Sequence, residues 1–381
     1  MSSSTGPVVA RGLEGVVAAE TRLSHVDGQA GRLLIGGYEL GEIAGRIRFE
    51  QAAHLLWRGA LPGPVELADL TREMAAMRRL PPATLSVLRA AAAASPIDAL
   101  RMGAATLSLD LPDPDDIAPA ADLARAEMLA ARFPTMVAAH LRLARGDEPL
   151  PPRADLPHAA NFLWMVHGRE LDPIAARSLD TYWVAVIDHG MNASTFTARV
   201  IASTRSDMVS AVTGAVGALK GPLHGGAPGP VLDMLQHIGT AENAEPWLET
   251  ELAAGRRIMG FGHRVYKVRD PRAEVLSRVA DEMAGAALED RRLFDLAREV
   301  EQTAVRVLER HKPGRQLRTN VEFYTALVLQ SLGLPPRAFV ALFACGRVAG
   351  WAAHVIEQHA EDRLIRPQSL YVGPQGLRLP V

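Results

Sequence analysis

The stretch DPIAARSLDTYWVAV, residues 172–186, shows the pattern from which most of the chain is built. Asp172 is a residue type that caps helix N-termini, and Pro173 suits the first helical position. Behind these two residues, large apolar side chains recur near helical spacing on one face: Ile174, Leu179, Tyr182, Trp183 and Val186. The stretch therefore predicts an amphipathic helix that packs against a core.

The same helical periodicity continues through most of the sequence from about Leu40 onward, and good helix formers such as Ala, Leu, Arg and Glu are abundant. Only the region around Gly12–Gly37 predicts strands, because apolar pairs lie there between glycine-containing turn signals. Segments rich in Pro and Asp at Leu111–Pro119 and Gly146–Pro157 predict surface loops. The sequence therefore predicts a mostly α-helical fold with a small N-terminal β region.

Length and composition are those of an ordinary globular protein. The chain has 381 residues, of which 48% are hydrophobic and 22% charged, so it is long enough to bury a sizeable core. Lys and Arg number 41 against 43 Asp and Glu, giving a formal net charge of −2, which argues against a general nucleic-acid or membrane-surface binder. The single cysteine, Cys345, excludes an intramolecular disulfide and a Cys-based zinc site.

Three features predict where the protein works. The first residues lack a basic segment followed by an apolar stretch, so no signal peptide is predicted. No run of 18 apolar residues is free of charge, so no membrane-spanning segment is predicted. A single cysteine suits a reducing compartment. We therefore expect a cytoplasmic protein.

The glycine-rich segment Lys220–Ala227 places His224 between Gly-Pro and Gly-Gly. Glycines allow the backbone to approach a ligand closely, and loops carry functional residues more often than cores do. The segment alone leaves two interpretations open. His224 either contacts a ligand or caps a neighbouring helix.

A second segment, Met259–Lys267, contains two glycines whose backbone N–H groups could meet a phosphate or a thioester. Positive charge comes from Arg264, Lys267 and Arg272. The segment is neither a P-loop nor a dinucleotide-binding fingerprint. Asp270-Pro271 is also an ordinary helix start, so part of this region has a structural explanation.

Two charged residues near the C-terminus each allow two explanations. Glu322 is either a general base or an acid favoured in the first turn of a helix. Arg347 lies in an apolar run where an unpaired cation would be costly, so its partner is either a protein carboxylate or a carboxylate substrate. His189 follows the helix predicted at residues 172–186. The absence of H-E-x-x-H and G-x-S-x-G sequences argues against a zinc hydrolase and an α/β-hydrolase.

Taken together, these segments resemble the citrate synthase family. Four blocks follow one another in the family's order: NASTFTAR (192–199), GPLHGG (221–226), GFGHRVY (260–266) and NVEFY (320–324). The similarity runs from Gly12 to Pro367, and the length is similar to the short branch of the family, which includes 2-methylcitrate synthases. The resemblance implies a two-domain helical homodimer, in which residues 1–224 and 328–381 form the large domain and residues 225–327 the small one.

The resemblance also implies an acyltransferase reaction of the tricarboxylic acid cycle, in which acetyl-CoA and oxaloacetate give citrate and CoA through enolisation, aldol-type addition and thioester hydrolysis. Glu322 would remove the proton, His224 would donate to the thioester carbonyl, and His263 would protonate the ketone oxygen of oxaloacetate. Oxaloacetate would be bound by His189, Arg272 and Arg347, and by Arg366 reaching into the partner subunit's site. CoA would be bound by Met259, Gly260, Phe261 and Gly262, with Arg264 and Lys267 at the phosphates.

Two residues depart from the family pattern. The base is usually Asp, and the extra methylene of Glu322 moves the carboxylate by about 1.5 Å, which matters when reacting atoms must come within about 3–3.5 Å. Gln368 stands where longer enzymes have an arginine. The alternatives are a 2-methylcitrate synthase that uses propionyl-CoA, and a catalytically impaired homologue that binds CoA or a dicarboxylate. We expect no metal, no resident cofactor, and no nucleic-acid or membrane partner.

Overall fold

The computed structural model describes residues 9–225, 229–286 and 291–379; Gly226 of the GPLHGG block lies outside these ranges. Helices contain 61% of the residues and strands 4%. The predicted mostly α-helical fold with a small β region is therefore confirmed.

The β region is a three-stranded antiparallel sheet in the order β1-β2-β3. Its strands are β1 (Ser24–Asp27), β2 (Arg32–Ile35) and β3 (Tyr38–Glu39). Asp27 shapes the turn after β1, because its Oδ1 accepts the backbone N–H groups of the two residues Gln29 (3.0 Å) and Ala30 (2.9 Å). Leu33 and Ile35 bury one face of β2, which fixes the register of the sheet.

Sixteen α-helices are present in the described ranges. They are α1 (Leu40–Ile43), α2 (Phe49–Arg58), α3 (Pro64–Met77), α4 (Pro82–Ala90), α5 (Pro96–Ala105), α6 (Pro119–Leu143), α7 (His158–His167), α8 (Pro173–Val186), α9 (Ala193–Ala202), α10 (Met208–Leu219), α11 (Gly229–Ile238), α12 (Ala244–Ala253), α13 (Pro271–Gly285), α14 (Arg291–His311), α15 (Val321–Ser331) and α16 (Phe339–Glu361). Short 3-10 helices occupy Arg11–Leu13, Thr106–Asp110, Ala241–Asn243 and Pro336–Ala338. As predicted, Asp172 caps α8, accepting the N–H of Ile174 at 2.8 Å.

The last helix, α16, lies at the centre of the largest helical group and contacts α2, α5, α6, α8, α9 and α10. Two buried tryptophans donate their indole N–H to α16 carbonyls: Trp57 to Ala349 (3.0 Å) and Trp183 to Leu342 (3.1 Å). The segment Pro336–Glu361 has the length and hydropathy of a membrane span, but 83% of its apolar window is buried inside the structure. Its hydropathy is therefore that of a core helix.

A second group of helices, α11 to α14, packs largely on itself and on α15. Within it, α13 also contacts α8 and α1, so this group lies directly against the first. The predicted domain boundary at residue 327 falls within α15. The division into a large and a small domain stays a prediction.

Candidate functional site

His189 lies directly after α8, in a turn in which Gly190 adopts a positive φ of 59°. Its Nε2 is 3.1 Å from the hydroxyl oxygen of Tyr266, and its ring centroid lies 5.5 Å from the rings of both His263 and Tyr266. Burial lowers the pKa of His189 well below its usual value, and Arg272 and Arg347 lower it further. His189 is therefore a neutral polar group at neutral pH.

His263 is fixed by backbone donors on one side of its ring. The N–H groups of Val265 and Tyr266 both point to its Nδ1, at 3.1 and 3.2 Å. A neutral imidazole carries one proton, and the two backbone donors at Nδ1 assign it to Nε2. Nη2 of Arg272, itself a donor, lies 3.5 Å from Nε2, beyond the usual length of a hydrogen bond, so it does not act as the acceptor of this proton. Burial, with a contribution from Arg272, lowers the pKa of His263 to about 4. His263 thus offers a neutral N–H donor through Nε2.

His224 has the opposite tautomer. It lies in the turn after α10, and the backbone N–H of Ser194 donates to its Nε2 at 3.3 Å. The hydroxyl oxygen of Ser194 is 2.8 Å from the same nitrogen and accepts the indole N–H of Trp351 at 3.0 Å. Burial and the charge of Arg347 lower the pKa of His224 to about 4. The ring is therefore neutral. The backbone N–H of Ser194 can only donate, which favours the tautomer with the proton on Nδ1, while the hydroxyl of Ser194 donates its own proton to Oδ1 of Asn192 at 2.8 Å.

Arg347 is a buried cation with an open edge. Only 1% of the residue is exposed, and its Nε donates to the carbonyl of Val186 at 2.5 Å. The guanidinium lies over the ring of Phe343 at 4.6 Å, and within the described ranges its Nη2 has no hydrogen-bond partner. Burial lowers the pKa of Arg347 to about 10. A buried guanidinium with free N–H groups is suited to an anionic ligand.

Arg272, by contrast, already has a protein partner. Its Nε and Nη2 donate to the two carboxylate oxygens of Asp270 at 3.0 and 2.7 Å, and both residues are buried. Asp270 also caps α13 by accepting the backbone N–H of Arg272 at 2.9 Å. The helix start predicted at Asp270 is therefore present, and the same carboxylate orients Arg272.

Glu322 lies in the first turn of α15, where the side chain of Asn320 caps the helix by accepting the N–H of Glu322 at 3.1 Å. Burial raises the pKa of Glu322, although the charge of Arg272 opposes this shift. The residue is thus both an acid in a first helical turn and a half-buried carboxylate under the influence of a cation. The local geometry therefore accommodates both explanations that the sequence left open.

The segment that carries Glu322 is bonded to the glycine-rich loop. The N–H of Asn320 donates to the carbonyl of Gly260 (2.9 Å), and its side-chain amide donates to the carbonyl of Gly262 (3.0 Å). Both glycines have positive φ, 82° and 85°. A Cβ on Gly260 would lie 2.7 Å from Phe323, and one on Gly262 would lie 2.9 Å from Leu317. Glycine at these two positions is what lets the loop approach α15 so closely.

Contacts join three of the predicted residues: the rings of His189 and His263 lie 5.5 Å apart, and Nε2 of His263 lies 3.5 Å from Nη2 of Arg272. Charge links these three to the other three, because Arg347 influences the pKa values of His189 and His224, and Arg272 influences those of His189, His263 and Glu322. The remaining predicted residues of the glycine-rich segment lie on the loop between α12 and α13. Met259 and Phe261 are half-buried there, whereas Arg264 and Lys267 are exposed.

Arg366 is not among the six. It is exposed in the irregular segment after α16, where it has no hydrogen bond or ion pair to any described residue. Its predicted contribution to a partner subunit's site stays a prediction. Among the residues with described positions, no group of three His, Cys, Asp or Glu side chains is arranged to hold a metal ion.

Sequence reasoning missed several supporting residues. Ser194 and Tyr266 belong to the quoted blocks NASTFTAR and GFGHRVY, so the blocks were a signal, but nothing local connected them to a histidine. Asp270 carried only a capping signal. Asp188, which accepts a hydrogen bond from the hydroxyl of Ser24 at 2.5 Å, is adjacent to His189 in the sequence, and Ser24 gave no signal at all.

Comparisons with known proteins agree over nearly the whole chain. The family model described as citrate synthase, C-terminal domain, matches residues 12–368. Citrate synthase from Haloferax volcanii is 40% identical over 375 residues, which cover 96% of each chain. 2-Methylcitrate synthase from Mycobacterium tuberculosis is 39% identical over 376 residues, covering 98% of this chain and 93% of its own.

Among solved structures, citrate synthase from Thermoplasma acidophilum is similar with a TM-score of 0.90 at 29% identity, and the match covers 98% of both chains. That structure is a ternary complex with carboxymethyl coenzyme A and oxaloacetate.

Proposed function

The chain belongs to the citrate synthase family, and we propose that the site described above is where it condenses acetyl-CoA with oxaloacetate. The chain is an acyltransferase of the citrate synthase type. One observation carries the assignment of the site: two neutral histidines, His224 and His263, receive backbone N–H donors at opposite ring nitrogens and occur with the half-buried carboxylate of Glu322.

Enolisation of acetyl-CoA needs a base and a hydrogen-bond donor. Glu322 takes a proton from the methyl carbon, and its raised pKa makes it a stronger base than an exposed carboxylate. His224 donates its Nδ1–H to the thioester carbonyl oxygen, where negative charge develops. Ser194 holds the opposite ring nitrogen, so the donor needs no reorientation during the reaction.

Carbon–carbon bond formation then needs a proton at the second carbonyl. The enolate carbon attacks the ketone carbon of oxaloacetate, the Nε2–H of His263 transfers to the ketone oxygen, which becomes the hydroxyl of citryl-CoA, and the proton that Glu322 took from the methyl carbon returns to His263. Water then cleaves the thioester and releases citrate and CoA. The backbone donors at Nδ1 keep His263 in the tautomer that this proton transfer requires.

Arginine and lysine side chains bind the negatively charged groups of oxaloacetate and CoA. The open edge of Arg347 and the edge of Arg272 that Asp270 leaves free bind the two carboxylates of oxaloacetate, with His189 as a further ligand. CoA lies along Met259–Gly262, with Arg264 and Lys267 at its phosphates. We propose no metal and no resident cofactor, since CoA enters and leaves as part of the substrate.

The acyl donor is tested by measuring thiol release from acetyl-CoA and from propionyl-CoA, each with and without oxaloacetate. We expect release that requires oxaloacetate and is faster with acetyl-CoA. Faster release from propionyl-CoA would support the alternative reaction suggested by the relative named 2-methylcitrate synthase. No release from either thioester would identify a catalytically impaired homologue.

We also propose that the protein is a cytoplasmic homodimer in which Arg366 completes the neighbouring site, since this exposed cation has no partner within the described part of its own chain. Mixing Arg366→Ala subunits with His263→Ala subunits is expected to restore activity after subunit exchange. A mixed dimer then contains one intact site, so up to about one quarter of the wild-type activity returns. Light scattering establishes the dimer, and labelled subunits establish exchange. No recovery after exchange would contradict the shared site.

The pH dependence should follow Glu322. Its pKa is raised, while those of His224 and His263 are about 4, so both histidines stay neutral across the working range. As pH falls through the pKa of Glu322, the base becomes protonated and kcat/KM for acetyl-CoA is lost. We expect kcat/KM, measured from initial rates, to fall on the acidic side in a single step whose midpoint lies above the usual carboxylate pKa. An acidic limb near 6.5 that disappears in a His263 variant would contradict this assignment.

A further inference from the structure

The turn that carries His189 is tied together by a side chain from the N-terminal sheet. Asp188 is completely buried, and its Oδ2 accepts the hydroxyl proton of Ser24 at 2.5 Å. The hydroxyl oxygen of Ser24 in turn accepts the backbone N–H of Gly190 at 2.9 Å. One hydroxyl of β1 therefore joins the two residues that flank His189.

On its other side, Asp188 is bonded to α16. Nε2 of His354 lies 3.3 Å from the same carboxylate oxygen, and Nδ1 of His354 lies 3.2 Å from Nη1 of Arg199. Arginine can only donate, so Nδ1 accepts and the ring proton lies on Nε2, where it donates to Asp188. Arg199 itself is held by Glu357 and Gln358, each at 3.0 Å. The polar chain from Arg199 to Gly190 thus has a defined donor and acceptor at every step.

Asp188 also acts on Arg347. Burial alone would raise the pKa of Asp188, but His354, Arg347 and Ser24 outweigh it and keep the carboxylate ionised. Its charge in turn opposes the effect of burial on the pKa of Arg347. The two groups do not form a direct ion pair within the described ranges, so Asp188 supplies a negative charge and leaves the open edge of Arg347 free.

We propose that Asp188, held by His354 and Ser24, is a positioning residue for oxaloacetate binding, because it fixes the turn that carries His189 and provides the buried counter-charge for Arg347. This inference rests on the proposed function, since it concerns how the same site binds the dicarboxylate. Asp188 acts through two ligands of the substrate and does not touch the substrate itself.

The chain contains a matched control for this role. His359 also lies on α16 and pairs through Nδ1 with the buried carboxylate of Asp122 at 2.7 Å. Nε2 of the same histidine donates to the carbonyl oxygen of Ser206 (3.1 Å). Both pairs bury a carboxylate against a histidine of one helix, but only Asp188 is connected to predicted substrate ligands. A purely structural role would make the two pairs equivalent.

The test compares Asp188→Asn with Asp122→Asn in the full-length enzyme. For Asp188→Asn we expect the oxaloacetate KM, and the oxaloacetate Kd from calorimetry, to rise by about 10-fold or more, as expected for losing a hydrogen bond to a charged group. The acetyl-CoA KM at saturating oxaloacetate should change much less. Asp122→Asn should lower the melting temperature but leave both KM values close to those of the wild type.

Two further variants separate positioning from loss of stability. His354→Gln keeps a donor toward Asp188 and an acceptor toward Arg199, so it should retain most of the oxaloacetate affinity that His354→Leu loses. Ser24→Ala removes the hydroxyl that joins Asp188 to Gly190 and leaves the contact between Asp188 and His354 in place, and it decides the question if Asp188→Asn does not fold. We expect its oxaloacetate KM to rise with little change in melting temperature.

The inference is overturned if the foldable variants, Ser24→Ala included, bind oxaloacetate within about twofold of the wild type, or if His354→Gln and His354→Leu are equally impaired. Failure of the proposed function looks different. In that case the wild-type enzyme itself would show no oxaloacetate-dependent thiol release.

Discussion

Replacing Glu322 with glutamine is expected to abolish turnover while leaving oxaloacetate binding nearly intact. The amide keeps the size of the side chain but cannot accept the methyl proton, and general bases contribute about 10²–10⁴-fold. The loss should appear in kcat rather than in KM, because the proton transfer occurs only in the transition state. Initial rates with acetyl-CoA measure the loss of turnover, and calorimetry measures the oxaloacetate binding that should remain.

The same substitution should not cost stability. Burial raises the pKa of Glu322 above its unfolded value, so the ionised form opposes folding at neutral pH; this penalty shrinks as pH falls through the folded pKa and is gone below the unfolded pKa. Glutamine carries no charge and removes the penalty at all pH values. We therefore expect a melting temperature at pH 7–8 at or above that of the wild type. An active glutamine variant would remove Glu322 from the mechanism.

Glu322→Asp tests the reach of the base. The backbone at Asn320 is bonded to Gly260 and Gly262, so it cannot easily advance to compensate for a shorter side chain. Asp retracts the carboxylate by about 1.5 Å, and activity should drop, since such displacements cost about 10²-fold. A rise in activity would mean that the segment keeps the geometry of enzymes with Asp at this position.

Replacing Arg347 with leucine should remove oxaloacetate binding. Truncating one partner of a buried charge pair costs about 2–5 kcal/mol, which corresponds to a loss of about 30- to 4,000-fold in kcat/KM for oxaloacetate. Arg347→Lys keeps the charge but not the two-pronged donor, so it should fall between leucine and the wild type. Initial rates over a range of oxaloacetate concentrations measure the effect.

Stability should respond much less than oxaloacetate binding does. Because Nη2 of Arg347 has no partner in the described structure, leucine removes part of the cost of a buried charge, but Val186 loses a donor and Asp188 loses a counter-charge, so the melting temperature should fall by less than it does in Arg199→Leu. Arg199 is the matched comparison: it is equally buried, but its partners are Glu357 and Gln358. Arg199→Leu should therefore lower the melting temperature. An Arg347→Leu enzyme with unchanged oxaloacetate kinetics would assign the cation to the protein interior alone.

Local sequence patterns predicted the helices and also one part of the site. Asp172-Pro173 marked the start of α8, and the cost of burying a cation in an apolar run identified Arg347 as a residue that needs an anion. Both arguments depend only on neighbours along the chain. The capping signal at Asp270 was correct for the same reason, yet it did not reveal the pairing with the side chain of Arg272.

The parts that sequence reasoning missed depend on distant contacts. Ser24 and Asp188 are 164 residues apart, and Ser194 and His224 are 30 residues apart. The tautomer of His224 is set by a backbone N–H of another helix, and no spacing rule predicts such a contact. The domain boundaries and the role of Arg366 stay predictions. The boundaries depend on how the two groups of helices move relative to each other, and the role of Arg366 depends on contacts with a partner subunit.

The central position of α16 has a consequence for how the protein is made. This helix is the last one in the described ranges, and the helices that it contacts are all synthesised before it. While the ribosome is still translating, the surfaces that pack on α16 have no partner until residue 361 has emerged, so the nascent chain exposes them to aggregation until then. Arg347 and His354 arrive with the same helix. Oxaloacetate can therefore bind only after α16 has been synthesised and packed into the core.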